Sequence, residues 1–184
     1  WPDGFTPVQG STPDEKPRPS LHSGMGDVAY TLDPQLVQWA YGLTKNVALP
    51  DSPELRAARA RYVGFPAAQK PASVMLGDTI SGETFWVGAL MNKWAERWVS
   101  YWTDGQGTMA TTAEEDIAFC QALALKGNAG RVDPKRARIL RTESDEDMPR
   151  DGERAAELLA AEVHEQGLWG FMPAGNAAYT VGSV

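Results

Sequence analysis

The sequence predicts an α/β domain, and three observations carry that prediction. Helix-start signals recur at Asp33-Pro34 and Ser52-Pro53-Glu54, aromatic and aliphatic residues keep helical spacing from Leu90 to Trp102, and short apolar runs bounded by turn residues lie between the helical stretches. Strands separated by helices imply α/β layering. A chain of 184 residues is the size of one common domain, long enough to bury a core.

Residues 1–26 hold five prolines (Pro2, Pro7, Pro13, Pro17, Pro19) and four glycines, so neither a helix nor a paired central strand forms there, and an arm or long loop is expected. Globular character begins at Asp27. Asp33 before Pro34 is an N-cap followed by proline at the first helical position, opening a helix to about Asn46 with Leu36, Trp39, Ala40 and Leu43 on one face. Ser52-Pro53-Glu54 repeats the signal for a helix over 53–63. Ala72 to Asp78 reads as a buried strand after Pro71. Leu90, Met91, Trp94, Trp98 and Trp102 then mark a helix whose aromatic stripe is read as a packing face rather than a stacking platform. Thr111 to Leu125 reads as a helix, Arg138 to Thr142 as a strand, and Gly152 to Gln166 as a helix begun by Asp151.

Composition excludes several classes of function. With 17 Lys+Arg against 24 Asp+Glu the chain carries a net charge of −7, which disfavours a nucleic-acid partner. No apolar stretch approaches the ~20 residues that a transmembrane helix needs. Cys120 is the single cysteine, so an internal disulfide and a multi-cysteine metal site are out, and two histidines, His22 and His164, are too few for a typical zinc centre. The chain opens at Trp1 without a Met, and an upstream piece is expected.

Ligands in α/β sheets gather where strands give way to loops, which directs attention to three polar segments: "GDTISGETFW" at 77–86, "TTAEEDIAFCQAL" at 111–123 and "RTESDEDMP" at 141–149. Together with the "LMN.W" helix start and the "YWTDG.GT" turn at 101–108, in this order from about Asp27 to Val184, the chain resembles the purine nucleoside permease family, itself similar in fold to the nucleoside phosphorylases. The resemblance implies a three-layer α/β/α phosphorylase-like fold, with residues 27–184 as its C-terminal half carrying half of the complete sheet. The other half supplies the phosphate-holding turn and arginines in that fold. No P-loop or GxGxxG occurs here, and Gly24-Met25-Gly26 is a weak GxG.

By this resemblance Ser144-Asp145 matches the pair that approaches the purine, making Asp145 the candidate catalytic acid toward N7 and Ser144 a substrate contact. An acid there lowers the barrier to N-glycosidic cleavage if its pKa lies near working pH. Repulsion among Glu143, Asp145, Glu146 and Asp147 is expected to raise one of their pKa values, while an acidic run is also an ordinary solvated face. Glu115 matches the glutamate that accepts hydrogen bonds from the ribose diol, but Thr112 and Glu115 also have the spacing of a capping box, and both readings stand. Phe85 and Trp86, in the loop that by resemblance covers the base, offer aromatic faces for stacking, with core packing as the other reading. Cys120 is expected to be inert, and both histidines structural or solvent-exposed.

The expected function is binding of a purine nucleoside, with assistance to N-ribosyl cleavage or nucleoside uptake once joined to the missing N-terminal half or a companion chain. No cofactor is expected; phosphate would act as co-substrate, held outside this chain. An oligomer and a periplasmic or secreted location are favoured. The alternative is a non-catalytic interaction subunit that keeps the fold, suggested by the absent phosphate half and by departures from the family pattern at Glu114, Glu143 and Glu146.

Overall fold

The computed structural model of the protein describes residues 29–82, 86–161 and 170–184. The expected arm over 1–26 lies outside these residues, as do His22, Phe85 and His164. In chain order the elements are α1 (Pro34–Thr44), α2 (Pro53–Arg59), β1 (Asp78–Ser81), α3 (Ala89–Trp102), β2 (Met109–Ala113), α4 (Asp116–Asn128), a 3-10 turn (Pro134–Arg136), α5 (Ala155–Ala161) and α6 (Phe171–Gly182). Helices combined with a small sheet agree with the α/β class at a coarse level.

Both cap signals hold. Asp33 Oδ1 accepts from the backbone N–H of Gln35 (2.9 Å) and Leu36 (3.1 Å), and Ser52 Oγ accepts from Leu55 N–H at 3.3 Å. In each case proline takes a first-turn position whose N–H would have had no helical partner. α2 stops at Arg59, short of the expected Val63.

The chain divides into two compact units, to be taken one at a time. The described parts of Trp1–Val37, Gly77–Thr84 and Lys93–Ile139 form the first, and Gln38–Leu76, Phe85–Asn92 and Leu140–Val184 the second. In the first unit β1 and β2 make a parallel two-stranded sheet, pairing Thr79 with Thr111, Ile80 with Thr112 and Ser81 with Ala113. Parallel strands need a crossover between them, and the segment containing α3 supplies it. Ile80, Ala95 and Val99 are buried there. Beside them the tryptophans pack on one another: Trp94 and Trp98 stack with centroids 5.3 Å apart, and Trp102 meets Trp98 edge-on at 5.6 Å. The stripe is thus an intramolecular aromatic ladder, as the packing reading has it.

Three expectations are corrected. The run Ala72–Leu76 is not a buried strand: Met75 and Leu76 are exposed, and the ladder begins only at Asp78, whose N–H donates to the Thr108 carbonyl at 2.7 Å. Residues 111–113, read as helical, belong to β2, because β-branched threonines suit a ladder in which Thr79 and Thr111 hydroxyls bond across at 2.8 Å. Arg138–Thr142 forms no strand, since no neighbouring strand among the described residues offers it a ladder, and Ile139 and Leu140 remain exposed.

In the second unit Tyr62, Leu158, Ala174 and Val181 are buried. The helix expected from Gly152 begins at Ala155 instead. Its entry is organised by Glu153 and Glu157, which accept from the Arg150 and Arg154 N–H groups at 3.0 Å each, rather than by Asp151. The helical pattern beyond Ala161 lies outside the described residues, and α6 follows without having been marked by any sequence signal.

Candidate functional site

The polar segments of the first unit are largely occupied with holding the fold. Asp78 Oδ2 accepts from Thr108 N–H at 2.7 Å, and Gly107 N–H donates to Thr103 Oγ1 at 2.8 Å, closing the "YWTDG.GT" turn. Ser81 Oγ accepts from Ile117 N–H at 3.2 Å, so the end of β1 caps the start of α4 from outside the helix. Glu115 occupies the N-cap position of α4 and makes no side-chain cap bond. The capping box between Thr112 and Glu115 therefore does not form: Thr112 is paired with Ile80 in the ladder, and the cap role has passed to Ser81. Glu115 is exposed. Cys120 is half-buried, and burial, assisted by Asp116, pushes its thiol up, which keeps it protonated and unreactive.

The carboxyl-rich loop of the second unit is differently built. Ser144 Oγ donates to Asp145 Oδ2 at 2.6 Å, and this pair is exposed. Glu143 and Glu146 flank it. Desolvation by the surrounding protein, reinforced by the Glu146 and Asp147 carboxylates, pushes the Glu143 carboxyl up to about 7. Glu146 is also raised, by desolvation first and then by Asp147 and Asp145, with Arg150 acting in the opposite direction. As whole residues Glu143 and Glu146 keep solvent contact, so protein crowded around their carboxyls and the like charges beside them cause the rise, not enclosure in a dry cavity. The sequence leaves open which carboxyl of the run is raised; the structure picks out Glu143 and Glu146.

Behind the loop stands Tyr62, 2% exposed, its hydroxyl pushed up to about 12 by burial and by Glu146 against the opposing effect of Arg150. The Arg150 guanidinium lies 6.0 Å from the Tyr62 ring centroid and 3.9 Å from Glu153. Neither Tyr62 nor Arg150 was marked by sequence spacing. The loop's backbone is held at two points. Gly88, at φ +90°, donates its N–H to the Asp147 carbonyl at 2.8 Å, and the Asn92 amide approaches the same carbonyl. At the other point Gly170 lies so close to the Ser144 carbonyl that a Cβ there would overlap it. Trp86, two residues before Gly88, is half-buried.

Among the described residues no three or more His, Cys, Asp or Glu side chains are grouped to hold a metal ion. A broad groove of about 750 Å³ runs past Leu55, Arg61, Met172 and Pro173, and a second of about 340 Å³ past Arg56, Arg59 and Gln69. Neither carries a carboxyl of the 143–147 loop, so groove volume and carboxyl chemistry point to different places. The clustered carboxyls take precedence, because a wide open groove fixes no ligand orientation. No helix among the described residues is long and apolar enough to cross a membrane.

Comparison with known proteins bears on these motifs. The chain is 30% identical over 118 residues to a probable purine nucleoside permease of Schizosaccharomyces pombe, covering 64% of this chain and 34% of that protein. It is 26% identical over 149 residues to the purine nucleoside permease of Candida albicans, covering 81% of this chain and 36% of that one. The chain thus spans about a third of the length of these curated relatives. No solved structure matches it. The sequence pattern of the purine nucleoside permease (NUP) family matches residues 1–184, and the chain belongs to that family.

Proposed function

We propose that this chain is the nucleoside-recognising part of a purine nucleoside permease-family protein, and that the 143–147 loop meets the purine base. One observation carries the reading: the hydrogen-bonded Ser144–Asp145 pair stands exposed between two carboxyls, Glu143 and Glu146, that hold protons more tightly than ordinary glutamates. A loop that keeps a proton among carboxylates near neutral pH suits a ligand that presents an acceptor, as purine N7 does. In this reading Asp145 is the acid toward N7, with Glu143 as the store of the proton, and Ser144 orients the Asp145 carboxyl. Trp86 and Phe85 supply stacking faces; Glu115, taken by itself, keeps the ribose contact that the family resemblance gives it.

The wider reading extends to chemistry. In cleavage the C1′–N9 bond breaks, its electrons pass onto the purine, N7 takes the proton from Asp145, phosphate or water adds its oxygen at C1′, and the O–H proton that the nucleophile gives up restores the acid. Phosphate is then a co-substrate held by the rest of a phosphorylase-like fold, either a longer polypeptide or a companion chain. The similarity of the chain to proteins named for purine nucleosides supports the substrate class.

Calorimetric titration of the full chain with inosine, adenosine and uridine tests the reading. The purine nucleosides are expected to bind and uridine to bind at least 10-fold more weakly, the scale set by losing one hydrogen bond to a charged group. Equal affinity for all three, or no binding at millimolar nucleoside, overturns it.

A further inference from the structure

We infer that Asn92 is a positioning residue for the carboxyl loop: its buried amide, on the first turn of α3, holds the Asp147 carbonyl and the Met148 sulfur so that Ser144 and Asp145 are presented in one geometry. The inference rests on the reading of the site given above.

Asn92 is 8% exposed, an unusual place for a side-chain amide unless its polar atoms are used. Its Nδ2 faces three acceptors: the Gly88 carbonyl at 3.2 Å, the Asp147 carbonyl at 3.4 Å and the Met148 sulfur at 3.4 Å. The amide orientation follows from these neighbours, because the reverse would set Oδ1 against two carbonyl oxygens. The two contacts to carbonyl oxygens are long for hydrogen bonds, and that to sulfur is of ordinary length but weak, so the fork guides the loop more than it binds it. The shorter anchor is the Gly88 N–H on the same Asp147 carbonyl at 2.8 Å. Gly88 has no room for a side chain, since a Cβ would stand 2.8 Å from Ala155 Cβ. With Ser144 held against Gly170 and Asp147 held by Gly88 and Asn92, only Asp145 and Glu146 span the gap, and both are exposed.

The energetics separate positioning from simple stabilisation. Asn92 Oδ1 is buried with no hydrogen-bond partner among the described residues, which costs stability. Removing the side-chain donors orphans neither carbonyl: Asp147 keeps the Gly88 N–H, and Gly88 keeps the Asn92 backbone N–H at 3.1 Å. An apolar residue of similar size should therefore be tolerated by the fold while releasing the loop.

The test compares Asn92→Leu, Asn92→Asp and Asp145→Ala with the wild-type full chain by thermal melting, amide hydrogen exchange and inosine titration. Asn92→Leu is expected to melt no lower than wild type, to exchange the Asp145 and Glu146 amides faster, and to bind inosine roughly 10- to 100-fold more weakly, the usual cost of a small misplacement. Asn92→Asp is expected to recover affinity as pH falls, because only its protonated form can donate to a carbonyl. Unchanged exchange at 145 and 146 in Asn92→Leu overturns the inference. So does unchanged inosine affinity in Asn92→Leu when Asp145→Ala abolishes binding. If Asp145→Ala binds inosine like wild type, the reading of the site is what fails. Faster exchange in Asn92→Leu then still upholds the positioning role, and unchanged exchange overturns it.

Discussion

Two motif-bearing regions of this chain look alike in sequence, both rich in Asp, Glu, Ser and Thr after a predicted strand, yet the structure uses them in opposite ways. Around β1, β2 and α4 the polar groups are spent on one another: Asp78 holds Thr108, Thr79 holds Thr111, and Ser81 caps α4. In the 143–147 loop no ladder or helix consumes the side chains, and three of the five residues are exposed. A polar motif whose atoms are already paired is architecture. One whose carboxyls stay crowded together, so that desolvation and like charge raise two of them, is open to chemistry.

The largest expected effect exploits that contrast. In a catalytically competent full-length protein, Asp145→Ala should lower purine nucleoside turnover by roughly 10²–10⁴-fold, the usual contribution of a positioned general acid, with the melting temperature nearly unchanged. Asp78→Ala, in the other region, should do the reverse, lowering the melting temperature through loss of the Thr108 contact while turnover per folded molecule stays near wild type. Steady-state kinetics alongside thermal melts would expose an error: if both substitutions act on the same observable, the two regions do not differ in kind.

Glu115 comes next, as the carboxylate to which the family resemblance gives the ribose. Glu115→Gln should leave melting unaltered and weaken riboside binding by about 1.5–3 kcal/mol, the scale of hydrogen bonds to a charged group. A 2′-deoxy ligand completes the cycle, because the variant should discriminate against it much less than wild type does. Equal losses for ribo- and deoxyribonucleosides would remove Glu115 from ribose recognition.

What the sequence disclosed follows the range of the interactions concerned. Asp33-Pro34 and Ser52-Pro53 were legible because a cap is settled within three residues. The α3 stripe was legible because its spacing repeats over three turns. Strand positions were not: the apolar run at 72–76 has the composition of a strand, but pairing falls on 78–81, where the partner is. Nothing local tells Thr111 that Thr79 will be opposite it. At the site, the Ser144–Asp145 pair and the crowding of carboxyls could be read from adjacency together with the family resemblance. That Glu143 and Glu146 are the raised groups depends on protein packed around them, and the role of Asn92 depends on a contact 55 residues along the chain. All three residues stood inside motifs already noticed; the packing and the contact that give them their roles did not.

A smaller effect is expected at Ser81. Ser81→Ala removes the acceptor for Ile117 N–H, and losing a helix cap typically costs about 0.5–2 kcal/mol. Denaturant unfolding should report that loss, and inosine affinity should stand. A Ser81→Ala protein of wild-type stability would mean that water replaces the cap and that β1 and α4 are less dependent on each other than the 3.2 Å bond implies.

The smallest effect bears on the loop itself, through the pH dependence of stability. Glu143 titrates near 7 when folded against an ordinary 4.5, so between those values the folded chain binds more protons than the unfolded one. Its contribution to stability is fully present below pH 4.5 and is lost as pH rises through about 7; Glu146, raised as well, acts with the same sign. Asp51, held low by its hydrogen bond to Arg59, and Glu54 and Glu157, held low by local hydrogen bonds, act oppositely, but only as pH falls through the ordinary carboxylate range and below. A window from about pH 5 to about pH 8 therefore separates the loop from these three carboxylates, and the Glu143→Gln variant separates it from the two histidines, which titrate in the same range. Wild type should melt a few degrees lower at the upper end, and Glu143→Gln, which fixes the neutral form, should remove part of that fall, on the order of a degree or two for a solvent-screened group. Glu146 contributes to the remainder with the same sign. A wild-type melting temperature that is flat or rising across the window, or a Glu143→Gln variant that retains the whole fall, would leave the loop with no stored proton and return it to the same standing as the carboxylates around β1 and β2.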